Sequence, residues 1–176
     1  MQILGDGNLI IQMDIRKMNS FIPFSISEID NDEIFEVIDT LRSGWITSGP
    51  KTKQFESNFQ DFIGSDVEAI AVNSATSGLH LALEALGVSK GDEVIVPSLT
   101  FTATAEVVRY LGADVKLVDI EPITLNIDIG AIRSAITPKT KVIMPVHYAG
   151  LSCAMDEILS LAKVFEFKVV EDAAHA

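Results

Sequence analysis

Lys168-Val169-Val170-Glu171-Asp172-Ala173-Ala174-His175-Ala176 sets a short β-branched run before two carboxylates, then small residues, then a histidine. The run reads as a strand. In parallel α/β sheets, ligands sit just beyond the carboxyl ends of the strands, so Asp172 is expected where a ligand would lie. His175 follows one short loop later, and the alanines let something flat approach the backbone. Far upstream, Asn73-Ser74-Ala75-Thr76-Ser77-Gly78 follows another apolar run and opens a helix. A phosphate at one end and a ring nitrogen at the other would suit the two stretches together.

Outward from these two stretches the pattern alternates regularly. Ala69 to Val72 reads as a strand and Thr76 to Leu86 as a helix; Glu93 to Val96 is a strand and Thr102 to Tyr110 a helix. Val115 to Val118 is followed by a shorter helix, Ile129 to Ile136. Lys141 to Val146 is followed by Met155 to Phe165, and Lys168 begins the last strand. Continuous apolar strands separated by helices predict an α/β fold, a mostly parallel sheet flanked by helices on both faces.

With 176 residues, 48% hydrophobic and 22% charged, the composition is that of a globular protein with one core. The formal net charge of -12 argues against nucleic acid or an anionic membrane surface as a general partner. An anionic ligand therefore needs local backbone donors. The single cysteine, Cys153, rules out an internal disulfide and fits a reducing, cytoplasmic setting. It is expected to be buried and inert, no histidine lying near it in sequence. No metal site is expected. Residues 1–18 are irregular and carry no secretory pattern. They are expected to be an arm or an upstream over-extension, with Met18 as an alternative start and residues 19–176 forming the folded part.

Ser27 with Asp30 resembles a capping box, and Ile29, Ile34, Val37, Ile38 and Leu41 make a helical stripe that Gly44 ends. Gly44-Trp45-Ile46-Thr47-Ser48-Gly49-Pro50 is a loop, read either as a surface connection or as a substrate or subunit-contact segment. Lys53 to Ile63 is a second amphipathic helix, with Phe55, Phe59 and Phe62 expected in the core.

Ser74 to Thr76 marks a strand-to-helix junction, where unpaired N–H groups and the positive end of the helix dipole favour a phosphate. The plainer alternative is a hydroxyl cap. No Gly-x-Gly-x-x-Gly or Gly-x-x-x-x-Gly-Lys is present, which removes the main support for dinucleotide and P-loop readings. Asp172, set against a phosphate cup on the same sheet, suits a heteroaromatic nitrogen that it would keep protonated, so that the ring can accept electron density. Phe101 is placed either to stack on such a ring or to pack in the core. His147, in Pro145-Val146-His147-Tyr148-Ala149-Gly150, is read as orienting its loop.

Taken as an ordered set, these segments resemble the N-terminal part of the DegT/DnrJ/EryC1/StrS family of pyridoxal-phosphate sugar aminotransferases. The matching stretches are Ser43 to Pro50, Asn73 to Leu83, Gly91 to Phe101, Pro145 to Gly150 and Glu171 to Ala176. The resemblance covers residues 19–176 and implies an incomplete large domain of a fold-type I transferase. It implies Ser74, Ala75 and Thr76 at the phosphate of pyridoxal 5'-phosphate, Phe101 on the ring face, Asp172 at the pyridine nitrogen and His175 near the ring hydroxyl. It further implies glutamate as amino donor, a nucleotide-linked keto-sugar as acceptor, and a homodimer in which Trp45, Thr47 and Ser48 form a substrate or dimer loop.

One departure stands out. The family's Schiff-base lysine follows the Glu-Asp-Ala-Ala-His stretch, and no lysine here occupies that position, so no catalytic residue is assigned and residues 1–176 alone are expected to be inactive. The resemblance also implies two later strands between Ala69–Val72 and Lys168–Val170; without them the sheet would have a gap and uncovered apolar edges. Two alternatives remain: a non-catalytic phosphate-ligand-binding chain or one that complements a C-terminal segment, and a sugar dehydratase of the same family using the cofactor in its pyridoxal or pyridoxamine form.

Overall fold

The computed structural model describes residues 26–64 and 66–176, which fall into two compact units, one ending at Gly64 and the other Ser65–Ala176. The boundary expected at residues 18 and 19 lies outside the described residues.

Among the described residues the first unit holds two helices, α1 (Asn31–Ser43) and α2 (Pro50–Ile63). The cap of α1 is Asp30, not Ser27. The Asp30 side chain accepts from the Asp32 N–H at 2.8 Å, and Glu33 accepts from the Asp30 N–H at 2.8 Å. Asp30 has the better reach because Glu33 sits three residues after it, which closes the reciprocal box. Gly44 ends the helix with φ 72, a conformation that costs glycine least. Lys51 bridges the helices, pairing with Glu36 and, at 2.9 Å, with Asp39. Neither helix has a buried residue, and Phe55, Phe59 and Phe62 are 60%, 49% and 85% exposed. The expectation that they form core is corrected: among the described residues, packing between the two helices leaves these rings largely open to solvent.

The second unit is a four-stranded parallel sheet of order β2-β1-β3-β4, with β1 (Glu93–Pro97), β2 (Asp114–Val118), β3 (Thr140–Ile143) and β4 (Lys168–Val169). Four helices complete it: α3 (Ala75–Ala85), α4 (Thr102–Tyr110), α5 (Ile129–Ala135) and α6 (Met155–Phe165). The two-residue alternation of β1 and β3 separates the core into two clusters. Val94, Val96, Val142 and Met144 pack with Leu79, Leu83, Val107 and Val108 of α3 and α4; Ile95 and Ile143 pack with Ile132, Ile158 and Leu161 of α5 and α6. Central strands buried on both faces need the unbroken apolar runs seen in the sequence.

Beyond its last strand residues the ladder continues. Val170 N–H donates to Ile143 O at 3.1 Å, and Val146 and Asp172 form a parallel bridge. Pro145 lacks an N–H and so ends regular pairing early. Residues 69–72 join no sheet, which corrects the first expected strand. Its large side chains, Ile70 and Val72, stay 75% and 41% exposed, so burial does not hold the run in a sheet.

Candidate functional site

The chain leaves β1 toward β2 on one side and reaches β3 and β4 on the other, so a topological switch lies between β1 and β3, where a crevice opens. A cavity of about 510 Å³ occupies the carboxyl ends of these strands. Its walls come from four separate segments: Ala75, Thr76 and Leu79 of α3; Leu99 to Phe101 and Ala103 after β1; Val146 and Tyr148 after β3; and Asp172, Ala174 and His175 after β4. Five residues singled out from the sequence, Ala75, Thr76, Phe101, Asp172 and His175, thus line one space.

At the α3 end, Ser74 is the cap: its hydroxyl accepts from the Ser77 N–H at 3.2 Å. The Ser77 hydroxyl is spent on Asn73 Oδ1 at 2.8 Å, which leaves Ser74 to donate to Ser77 Oγ at 3.0 Å. Ser74 therefore shapes the helix mouth and does not line the cavity. The Ala75 and Thr76 amides occupy the first turn, where no intrahelical acceptor exists. They and the helix dipole give this wall the character of an anion cup.

Asp172, also in the cavity wall, is only 7% exposed. Its backbone is pinned from both directions: its N–H donates to Pro145 O at 2.9 Å, and its C=O accepts from His147 N–H at 3.1 Å. Its carboxylate accepts from Thr104 Oγ1 at 2.7 Å and from Ala174 N–H at 3.3 Å. Phe101, 76% exposed, stands at the cavity wall; of its two sequence readings, core packing is excluded. His175 is exposed at the same wall.

His147 has the orienting place expected of it. Its buried ring accepts the Cys153 N–H on Nδ1 at 3.1 Å, which puts the ring proton on Nε2, donated to Glu171 at 2.8 Å. Cys153 is buried, and burial first of all pushes its thiol up, which disfavours the reactive thiolate. The premise that no histidine lies near it in sequence fails: His147 is six positions earlier, and its ring accepts from the cysteine backbone.

Sequence reasoning missed Tyr148, Asn126, Thr100 and Thr104. Asn126, 5% exposed, holds the loop bearing Tyr148 with three bonds: from Tyr148 N–H at 3.1 Å, and to Leu151 O and Ser152 O at 3.0 and 3.1 Å. Nothing in its sequence surroundings announces this. Thr104 did carry a signal, a hydroxyl among the apolar residues of a buried helix face, which needs a partner.

Trp45, Thr47 and Ser48 belong to the first unit. The Trp45 Nε1–H donates to Ser48 O at 3.0 Å, folding the loop over Gly49, where any Cβ would run into the indole. Among the described residues no group of His, Cys, Asp and Glu could hold a metal ion, and no helix is long and apolar enough to cross a membrane.

Three known proteins bear on this arrangement. SpsC, the spore coat polysaccharide biosynthesis protein of Bacillus subtilis, is 48% identical over 162 residues, 92% of this chain and 41% of its own length. An uncharacterised protein of Methanocaldococcus jannaschii, MJ1066, is 52% identical over 157 residues, 89% of this chain and 40% of its own. The structure of Spr1654 from Streptococcus pneumoniae, a candidate sugar aminotransferase in its PLP form, superposes with a TM-score of 0.80 at 42% identity, over 88% of this chain and 43% of that one. The chain thus spans about 40% of the length of the relatives it matches. Residues 27–176 match the DegT/DnrJ/EryC1/StrS aminotransferase family, and the chain belongs to that family.

Proposed function

We propose that the cavity holds pyridoxal 5'-phosphate and that the whole protein transfers an amino group, from glutamate, to a nucleotide-linked keto-sugar. One observation carries the cofactor assignment: the first turn of α3 and a buried carboxylate line a single cavity. That pairing fits a molecule with a phosphate at one pole and a basic ring nitrogen at the other. Ala75 and Thr76 would take the phosphate, with Ser74 holding the helix mouth open, and Asp172 the ring nitrogen. Phe101 would cover a ring face, and His175 would lie near the ring hydroxyl. When bound, the protonated ring draws electron density from the substrate carbon that loses its proton.

The residues of this chain would bind and orient the cofactor, and Asp172 would favour a proton on the ring nitrogen. Turnover is assigned to the full length typical of the relatives, and residues 1–176 are proposed to bind without reacting. Support for a sugar acceptor comes from the names of SpsC and Spr1654. The Trp45 to Pro50 loop is proposed to contact a second copy. A Trp45→Ala variant with an unchanged dimerisation constant by analytical ultracentrifugation would remove that assignment.

Equilibrium dialysis of the chain against pyridoxal phosphate tests the cofactor reading. Saturable one-to-one binding is expected, displaced by pyridoxamine phosphate and far less well by pyridoxal, which lacks the phosphate. Equal affinity for pyridoxal, or no saturable binding, overturns it.

A further inference from the structure

We propose that Thr104, backed by Thr100, is a positioning residue for Asp172 and sets the preference of the cavity for a ring bearing a protonated nitrogen. The proposal rests on the assignment of Asp172 to the ring nitrogen made above.

The side chain of Thr104 is fully buried, and its companions on that face of α4 are Ala103, Val107 and Val108. A hydroxyl in such surroundings must be satisfied within the protein. Its partner is Asp172 Oδ2, 2.7 Å away and 68 positions on in sequence. Thr100 Oγ1 lies 2.6 Å from Thr104 Oγ1. A hydroxyl has one proton to give. Thr104 gives its proton to the carboxylate, so Thr100 donates to Thr104, and the two hydroxyls form a relay of donors pointing at Asp172. With Ala174 N–H on Oδ1 at 3.3 Å, both carboxylate oxygens are held as acceptors. The remaining lone pairs are thereby aimed by a fixed rotamer, and a ligand that donates a proton is the one they complement. Chained hydroxyls polarise one another, which strengthens the last bond of the relay.

The test compares affinities for pyridoxal phosphate and for its carbocyclic analogue, in which ring nitrogen is replaced by C–H. Both keep the phosphate, and only the first can donate to Asp172. The wild-type chain is expected to prefer pyridoxal phosphate. Thr104→Val is expected to shrink that preference about tenfold, the order expected for a hydrogen bond to a charged group, while Thr104→Ser retains it. Thr100→Val, a milder change at a half-buried position, should shrink it in the same direction by less and serves where Thr104→Val does not fold. A merely structural role for Thr104 would weaken both ligands equally and leave the ratio unchanged, which overturns the proposal. No preference in the wild-type chain, or binding of neither compound, overturns the Asp172 assignment itself.

Discussion

Val146 and Asp172 face each other in a parallel bridge past the last regular residues of β3 and β4, so the acid of the cavity is fixed by the main chain of two strands. Side-chain change at position 172 should therefore alter chemistry more than position. Asp172→Asn is expected to weaken pyridoxal phosphate binding at least about tenfold, since hydrogen bonds to charged groups contribute roughly 1.5–3 kcal/mol. Its thermal midpoint should fall modestly as well, because the amide NH2 cannot accept one of the two bonds that Thr104 and Ala174 now donate to the carboxylate; dialysis with thermal unfolding checks both.

Removing the His147 ring has the opposite profile. His147→Ala leaves the Cys153 N–H without its acceptor in a buried place. A loss of about 1–3 kcal/mol is expected, the penalty for an unsatisfied buried donor. The Glu171 pair adds little because that carboxylate is half exposed. Urea denaturation gives the loss, and faster amide exchange at Cys153 locates it.

Gly150 has φ +83, and a Cβ there would lie 3.0 Å from His175 O. Gly150→Ala should cost about 1–2 kcal/mol for left-handed backbone alone. It should also push His175 from the cavity wall, seen as a perturbed His175 ring resonance by NMR.

A pH-dependent contribution comes from Asp92. Burial pushes its pKa up, but Lys141 Nζ at 3.0 Å and the Ser89 N–H at 2.9 Å outweigh that and hold it below the ordinary carboxylate value. A lowered folded pKa means stability present above the unfolded value of about 4 and lost as pH falls through the folded one. Asp92→Asn should cost about 1 kcal/mol or less at pH 7, given the partial exposure of both partners. The difference between variant and wild type should narrow as pH falls below the unfolded value of about 4, by urea denaturation across pH.

Much of this was legible in the sequence because period and chemistry agreed. The helices 102–110 and 155–165 appear with the expected bounds, and α3 begins one residue before its expected start. Asp172 and Thr76 could be placed because strand ends and helix starts are local features. Residues 69–72 and the phenylalanines of α2 were misread for a shared reason: pattern reports which face wants cover, and burial depends on what else is present. Asn126 was invisible since its three partners lie 22 to 26 positions away.

The cavity draws its walls from segments near residues 75, 100, 147 and 173, and the Thr104–Asp172 contact closes a loop of 68 residues. Such distant pairings form late, after the entropy of closing long loops has been overcome. Ligand competence should therefore appear only after β4 has paired with β3. A molecule held by several of these segments at once would act as a clasp on them, raising their resistance to unfolding in proportion to the logarithm of its concentration.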